Sequence, residues 1–502
     1  MESLSQMLSR NARLLGAKTF VHFEGVDLTY AALDEEARKL AKVLTGLGIG
    51  KGDPVGIFLP NGLELIRAFW ACQVLGAIAV PMGAMLQGPE VIAICSQTRM
   101  ATIFVDASTR DVVEFVRGKL VDLRTVLDVD DRTDDGPRAS AQKATAFRDD
   151  PAFDLADIAA VFFTSGTTGL PKGAMQSHFA QYSALRDMMG FNHWRYGQEI
   201  VYCAIPLTSN FGCTCMMNLC MFAGGTLVVE RRWDTRQALD TIRKHHVTFM
   251  AGPPTLFIYM VEGFDSARDD LSSLKLCIAG GAPVPTEILR RFEALMGGRI
   301  SQGYGATEVL AYVTADPLVG ARKLGSAGLP IGSTSISILD EQGQPAPAGE
   351  LGEICINGDT VGSGYWGDPE TTANSFIAQG WLSGDIGRLD EEGYLYIVDR
   401  KKDLIISGGF NIYPIEVENF LYSLPKVRMC AVVGLQDAEK GEIAVAAIVV
   451  DPESSLTPEA VIAACRKNLS PYKVPRRVIF VDALPLSPIG KVLKRRLRET
   501  LQ

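Results

Sequence analysis

Ala159-Ala-Val-Phe-Phe163, followed at once by Thr164-Ser-Gly-Thr-Thr-Gly-Leu-Pro-Lys-Gly173, is the passage on which the reading of this 502-residue chain turns. The apolar run reads as a buried strand, and the ten residues after it as a loop that wraps phosphates. Four hydroxyls, three glycines and one lysine fall within those ten residues. Glycines let backbone N–H groups approach an anion, the hydroxyls of Thr164, Ser165, Thr167 and Thr168 donate, and Lys172 adds positive charge. A P-loop is excluded, because Lys172 stands between Pro171 and Gly173 rather than after glycine and before Ser or Thr.

Outward from this passage, helix, strand and turn alternate. Tyr30–Leu47 places Leu33, Ala37, Leu40, Ala41, Leu44 and Leu47 on one stripe, which predicts a helix facing a core. Short apolar strands are expected at Val55–Leu59, Ile78–Pro81, Thr102–Val105 and Val126–Val129, with helices at Leu63–Val74 and Arg110–Lys119 between them. This is the pattern of α/β layers around a largely parallel sheet. The charged stretch Asp130–Asp150 reads as a surface connection. From about Ile331 the grain changes to short strands with Gly/Pro turns. After the charged break Asp399-Arg-Lys-Lys-Asp403 comes a tail of about a hundred residues, enough for a separate small domain.

Composition narrows the class. Charged residues make up 21% and the hydrophobic set 47%, ordinary values for a folded soluble protein, and the length demands more than one core. A net charge of -9 argues against nucleic-acid binding, which needs a basic face. The first twenty residues carry Glu2, Arg10, Arg13 and Lys18 and no long apolar run, so no signal peptide is expected. Ala68–Leu86 is apolar enough to suggest a membrane span, but Gly76 and Pro81 split it into a helix and a strand. Ten cysteines without a regular framework read as reduced thiols of a cytoplasmic enzyme. Cys213, Cys215 and Cys220 lack the second pair that zinc would need, and His245-His246 likewise reads as structural.

Further motifs lie in order along the chain: Ala279-Gly280-Gly281-Ala282-Pro283, Gln302-Gly303-Tyr304-Gly305-Ala-Thr307-Glu308, Ser383-Gly-Asp385, Arg400, Ser407-Gly408-Gly409, and Lys491 after Pro485-Leu-Ser-Pro-Ile-Gly490. Taken singly, each is a glycine turn or a surface charge. Together with Thr164–Gly173 they resemble the adenylate-forming superfamily of acyl-CoA synthetases, peptide-synthetase adenylation domains and firefly luciferase, over about residues 10–500.

That resemblance implies an α/β fold, with a large N-terminal domain of layered subdomains (1–401) and a small mobile α+β lid domain (402–502). It implies ATP, Mg2+ and coenzyme A. Ser165, Gly166, Thr167, Thr168, Gly169 and Lys172 would hold the triphosphate, with Thr164 beside the reacting phosphate. Gly280, Gly281, Ala282, Pro283, Gly303 and Gly305 would lie along the adenine, with Tyr304 stacked on it. Thr307 would serve the α-phosphate, Glu308 the Mg2+, and Asp385 and Arg400 the ribose. Lys402 would be the hinge, and Ser407, Gly408 and Gly409 the wall of the pantetheine tunnel, with Lys440 placed for a CoA phosphate. Lys491 would offset the repulsion between carboxylate and α-phosphate.

Two departures bear on the substrate. Many relatives carry a bulky Phe-His where this chain has Thr208-Ser209, so a roomier or more polar pocket mouth is expected. Some ligases place a tryptophan against CoA where Lys440 stands. The pocket is expected to draw on Ser209, Gly252, Gly303 and the run Val309, Leu310, Ala311 and Tyr312, and to take a fatty or aryl acid, since no acidic residue is placed to hold an ammonium. The leading reading is an acid–CoA ligase. Its rivals are an enzyme loading a carrier protein, a luciferase-like oxidase and a silent binding protein. A homodimer is left open.

Overall fold

The computed structural model describes residues 1–134, 136–147, 152–164, 171–282, 286–310, 312–401, 403–437, 439–486 and 492–501, without the side chains of residues 286 and 287. It is a mixed α/β protein with a large N-terminal part and a small C-terminal domain. Two large sheets form the first part. One has six strands, in spatial order Thr125–Asp128, Thr102–Val105, Pro54–Phe58, Ile78–Pro81, Ile158–Thr164 and Lys172–Ser177. Its pairs are parallel except the last, which is antiparallel. The other has nine strands, with a parallel centre from Thr19–Phe23 through Phe249–Gly252 to Arg299–Gly305.

The helix Leu63–Leu75 shows why the two sheets belong together. It is buried nearly all round, from Leu65 to Leu75 except Arg67, as a helix packed on more than one side must be. Its residues share an apolar cluster with Val55 and Ile57 of the six-stranded sheet and with Val201, Leu227 and Phe249 of the nine-stranded one. Gln73, the one strongly polar residue of its buried face, donates to Ala159 O at 3.1 Å. Gly76 ends the helix in the left-handed conformation, φ 75°, and the strand Ile78–Pro81 follows, as the sequence predicts for this apolar stretch.

The expected helices and strands appear with their ends moved by a residue or two. The segment Asp130–Asp150 differs from the expectation of a bare connection, for Pro137–Lys143 is helical. Proline at the first helical position presets the backbone for it, although the segment is too polar to show a helical stripe.

A third, antiparallel sheet contains Ser335–Leu339, Gly352–Asn357, Gly380–Leu389 and Leu395–Arg400. Ile338, Ile354, Ile356, Trp381 and Leu395 from it pack on Val309 and Val313, which follow the strand Arg299–Gly305. This apolar contact fixes the third sheet against the edge of the nine-stranded one.

The C-terminal domain has a sheet of its own, built on the long pair Val427–Asp437 and Gly441–Val450. Alternation along Val427–Asp437 serves two faces. Cys430 and Val432 meet the helices Pro414–Tyr422 and Pro458–Asn468, whereas Ala431, Val433 and Leu435 meet Leu497 and Leu501 of Lys494–Leu501. Among the described residues, no helix is long and apolar enough to cross a membrane.

Candidate active site

The strands Ile158–Thr164 and Lys172–Ser177 form a hairpin in which Thr164 faces Lys172, and the Thr164 hydroxyl reaches Lys172 O at 3.5 Å. Ser165, Gly166, Thr167, Thr168 and Gly169, the heart of the proposed phosphate loop, lie outside the described residues. The loop's base is nonetheless tied to the rest of the site. Met175 N donates to Gly364 O at 2.9 Å and Trp366 N to Gly173 O at 2.7 Å, so residues 362–366 run along this strand. Tyr365 is thereby held with its ring 5.3 Å from Lys172 Nζ and its hydroxyl donating to Glu308 Oε1 at 3.0 Å.

Glu308 sits on a single 3₁₀ turn, Thr307–Val309, at the end of the strand Arg299–Gly305. The next residue, Leu310, has φ 64°, a left-handed conformation that costs a leucine on the order of 1–2 kcal/mol. Burying its side chain completely offsets that cost, at roughly 2 kcal/mol. The Glu308 carboxyl is held above its usual range by burial, against the opposing pull of the Tyr365 hydroxyl and of Arg400 and Lys172. A buried acid with cations around it suits a ligand that brings further positive charge.

Tyr304, Asp385 and Arg400 form the second group. Tyr304 lies on the nine-stranded sheet, whereas Asp385 and Arg400 face each other in the third. The Tyr304 hydroxyl donates to Asp385 Oδ2 at 2.7 Å, and Arg400 Nε lies 3.2 Å from Asp385 Oδ1. Burial pushes the Tyr304 phenol well up, and the neighbouring carboxylate reinforces the shift, so it remains a donor. The sequence points to these three residues singly. It gives no sign that they touch.

Gly280 and Gly303 are partners in adjacent parallel strands. A Cβ at Gly280 would stand 3.3 Å from Gly303 O and 3.7 Å from Phe211 Cζ, so the rim of an aromatic ring lies beside this pair. Gly281 has φ 85° and open space around it, and Gly281, Ala282 and Gly305 are exposed. Pro283 lies outside the described residues.

The expected pocket walls lie in different surroundings. Val309 is fully buried in the cluster that joins the third sheet, and Leu310 in the main core. Ala311 lies outside the described residues. Ser209 is used locally: its hydroxyl donates to Pro206 O at 2.7 Å and accepts from Gly212 N, capping a short helix. Gly252 is packed by Leu256 and Ile205. Phe211 lies beside Gly280, and Tyr312, the last of the expected wall residues, beside Gly303. The Tyr312 Cβ is 3.2 Å from where a Cβ on Gly303 would be, and its hydroxyl donates to Asn192 Oδ1 at 2.9 Å. Two residues beyond Thr208-Ser209, Phe211 thus places a ring close to this pair of strands. The signal was Phe211 itself, a large apolar residue following a polar run.

In the small domain Ser407 ends one strand of a hairpin whose turn is Gly408-Gly409, with φ 57° and 83°, the two positive values that a two-residue turn of this kind requires. Gly408 N donates to Lys440 O at 2.8 Å, and the Lys440 side chain lies over Gly408. Among the described residues, no hydrogen bond or ion pair joins this turn to Glu308 or Asp385. Lys402 and Lys491 lie outside the described residues. The flanks of Lys402 are tied on both sides, Lys401 N to Gly384 O and Asp403 N to Arg400 O, each at 2.9 Å. Cys213, Cys215 and Cys220 are fully buried, with thiols pushed up by desolvation.

Residues 8–366 match the family model of the AMP-binding enzyme, and residues 416–491 that of the AMP-binding enzyme C-terminal domain. The chain belongs to the AMP-binding enzyme family. This AMP-binding enzyme is 34% identical to a long-chain-fatty-acid–CoA ligase of Bacillus subtilis, over 99% of the chain and 94% of that protein. It is 35% identical to a feruloyl-CoA synthase of Amycolatopsis, over 97% of each. Among solved structures it is similar to ATP-bound MatB of Rhodopseudomonas palustris, with a TM-score of 0.91, 29% identity and 99% of each chain covered. The residues grouped around Glu308 and Asp385 lie partly within and partly beyond the first matched range, 8–366.

Proposed function

We propose that this AMP-binding enzyme is a carboxylic acid–CoA ligase that works through an acyl-adenylate, on a fatty or aryl acid. The observation that carries the proposal is the convergence, from three sheets, of Lys172, Tyr365 and Glu308 beside Tyr304, Asp385 and Arg400. One group supplies positive charge and a buried carboxylate for a triphosphate. The other offers a carboxylate fixed by two donors for a sugar diol.

Glu308 fits a magnesium ion that arrives with ATP. Mg2+ is commonly held by one or two carboxylates plus substrate phosphates, and Glu308 offers one such group, buried and flanked by a donor that fixes one oxygen. When bound, the ion would neutralise phosphate charge. The chain's own residues do the rest. Lys172 faces the triphosphate from the hairpin, and Lys491, on the proposed lid 402–502, offsets the charge where carboxylate meets phosphate. A carboxylate oxygen of the acid attacks the α-phosphorus, an acyl–O–P bond forms, and the bond to pyrophosphate breaks. After the lid turns about Lys402, the sulfur of CoA attacks the acyl carbon. The C–S bond forms, the C–O bond breaks, AMP leaves, and the thiol proton goes to solvent.

Phe211 and Tyr312 beside Gly280 and Gly303 give the acid an aromatic wall, which supports an apolar acid. Buried thiols fit a reducing, cytoplasmic setting. The test is purified protein with ATP, Mg2+ and a panel of acids of graded bulk. Pyrophosphate release with AMP and an acyl-CoA supports the proposal. Pyrophosphate and an adenylate that only a carrier-protein thiol consumes would replace CoA with that acceptor. No pyrophosphate with any acid overturns it.

A further inference from the structure

Behind Glu308 lies a buried polar network that no step above uses. Gln176, Gln181, Thr214 and Asn218 are fully buried and Asn210 is nearly so. Gln176 Nε2 donates to Thr307 O at 3.1 Å and to Asn210 Oδ1 at 2.8 Å. Asn210 Nδ2 donates to Leu310 O at 2.8 Å. Gln181 donates to Gln176 Oε1 and to Thr214 Oγ1, the Thr214 hydroxyl donates to Asn210 Oδ1, and Asn218 donates to Gln181 Oε1.

Five buried polar side chains are costly to keep in a core that apolar residues would fill. Their front ends explain them. The 3₁₀ turn and the left-handed Leu310 leave the carbonyls of Thr307 and Leu310 facing the interior; Thr307 O already accepts from Leu310 N at 3.3 Å and has a second lone pair to fill, and Leu310 O needs a donor from outside the turn. Gln176 and Asn210 supply those donors and bond to each other, so the turn is gripped on both sides of Glu308 by one unit. Gly362 N holds the Glu308 carbonyl itself at 2.8 Å from the opposite side. Gln181 and Thr214 donate to the amide oxygens of Gln176 and Asn210, and Asn218 to that of Gln181. Thr214 and Asn218 belong to the π-helical turn Cys213–Asn218, whose wider winding brings residues four apart onto one side.

The connections also run outward. Gln176 lies on the strand that leaves the phosphate hairpin, and Asn210 on the helix that follows Thr208-Ser209 and carries Phe211. We propose that Gln176 and Asn210 are a positioning pair that sets the Glu308 carboxylate for the metal–triphosphate. The inference rests on the reading of Glu308 as the magnesium ligand. The pair touches neither substrate nor metal and acts through the backbone of Thr307 and Leu310.

The test compares wild type, Gln176→Met, Asn210→Leu and Glu308→Gln by direct Mn2+ binding, read from the free-ion paramagnetic signal in the presence of a non-cleavable α,β-methylene ATP. The Mg2+ dependence of pyrophosphate release and the KM for the acid are measured alongside. Loss of either clamp should weaken Mn2+ binding by about tenfold and raise half-saturating Mg2+ to match, with the acid KM changed by less than about twofold. A role in folding alone would lower the melting temperature and leave metal affinity in the folded protein unchanged. Mn2+ affinity within twofold of wild type in both clamp variants, with Glu308→Gln losing it, overturns the inference and leaves the metal reading intact. Undiminished affinity in Glu308→Gln sinks the metal reading instead, and the inference with it. Should a clamp variant not fold, Thr214→Val is read in its place. It removes only a hydroxyl behind Asn210 and should weaken Mn2+ binding by about threefold; no change there counts against the pair.

Discussion

Tyr304 and Asp385 stand 81 residues apart in sequence and on different sheets, yet the tyrosine hydroxyl donates to the aspartate at 2.7 Å in a partly buried site. With Arg400 on the other oxygen, the carboxylate is fixed before any nucleotide arrives. Removing the phenol leaves Asp385 Oδ2 without this donor, a change worth about 1–2 kcal/mol. Tyr304→Phe is accordingly expected to raise the KM for ATP by about tenfold, with kcat changed less than threefold. Initial-rate pyrophosphate assays across ATP concentrations check this, and an unaltered KM counts against a pre-set diol acceptor.

Lys491 is expected to act in one half-reaction only. Lys491→Ala should slow adenylate formation by about 10²–10³ while leaving conversion of a supplied acyl-adenylate to the thioester within threefold. Measuring both halves separately decides it. Equal losses in the two would remove the lysine from its assigned step.

His178 gives the fold an acid limit. It opens the helix His178–Phe191, accepts from Leu4 N, and packs edge-on against Phe153. Burial lowers its pKa to about 4 from 6.5, with Lys51 assisting and Asp157 opposing. Because the folded value lies below the unfolded one, the stability it contributes is complete above pH 6.5 and is lost as pH falls towards 4. The loss amounts to about 3 kcal/mol over that interval. Melting curves of wild type should fall across this window, and those of His178→Gln should fall less. Parallel curves would show that other groups set the acid limit.

Phe211 should police the size of the acid. With the ring gone in Phe211→Ala, acids bulkier than the best wild-type substrate should gain in kcat/KM relative to it by about tenfold, the scale of a few methylenes of apolar contact. A uniform loss over the whole panel would make the ring a packing element instead.

The sequence made the nucleotide motifs legible because each is contiguous, and glycine, hydroxyl and charge in one short loop have few other uses. The order of strands and helices was legible from apolar periodicity. What joins the motifs was not. Tyr365 reaches Glu308 across 57 residues, and Gln176 reaches Thr307 across 131. No local pattern marks a glutamine in an apolar strand as a clamp. The surroundings of the expected pocket walls were hidden for a related reason: a position beside a motif does not tell which neighbours its side chain packs on. Val309 and Leu310, adjacent in sequence, join two different apolar clusters, and Phe211 reaches Gly280 from a distant segment.

The passage of residues 362–366 along the hairpin strand, between Met175 and the Glu308 carbonyl, has a consequence for anyone recombining this gene with a relative's. The change of grain near Ile331 looks like a natural seam, but a crossover there would take Glu308 and Tyr304 from one parent and Tyr365, Gly362 and Asp385 from the other. Hybrids joined beyond Arg400 inherit both carboxylates with their own neighbours, and these are the ones expected to survive a selection for activity.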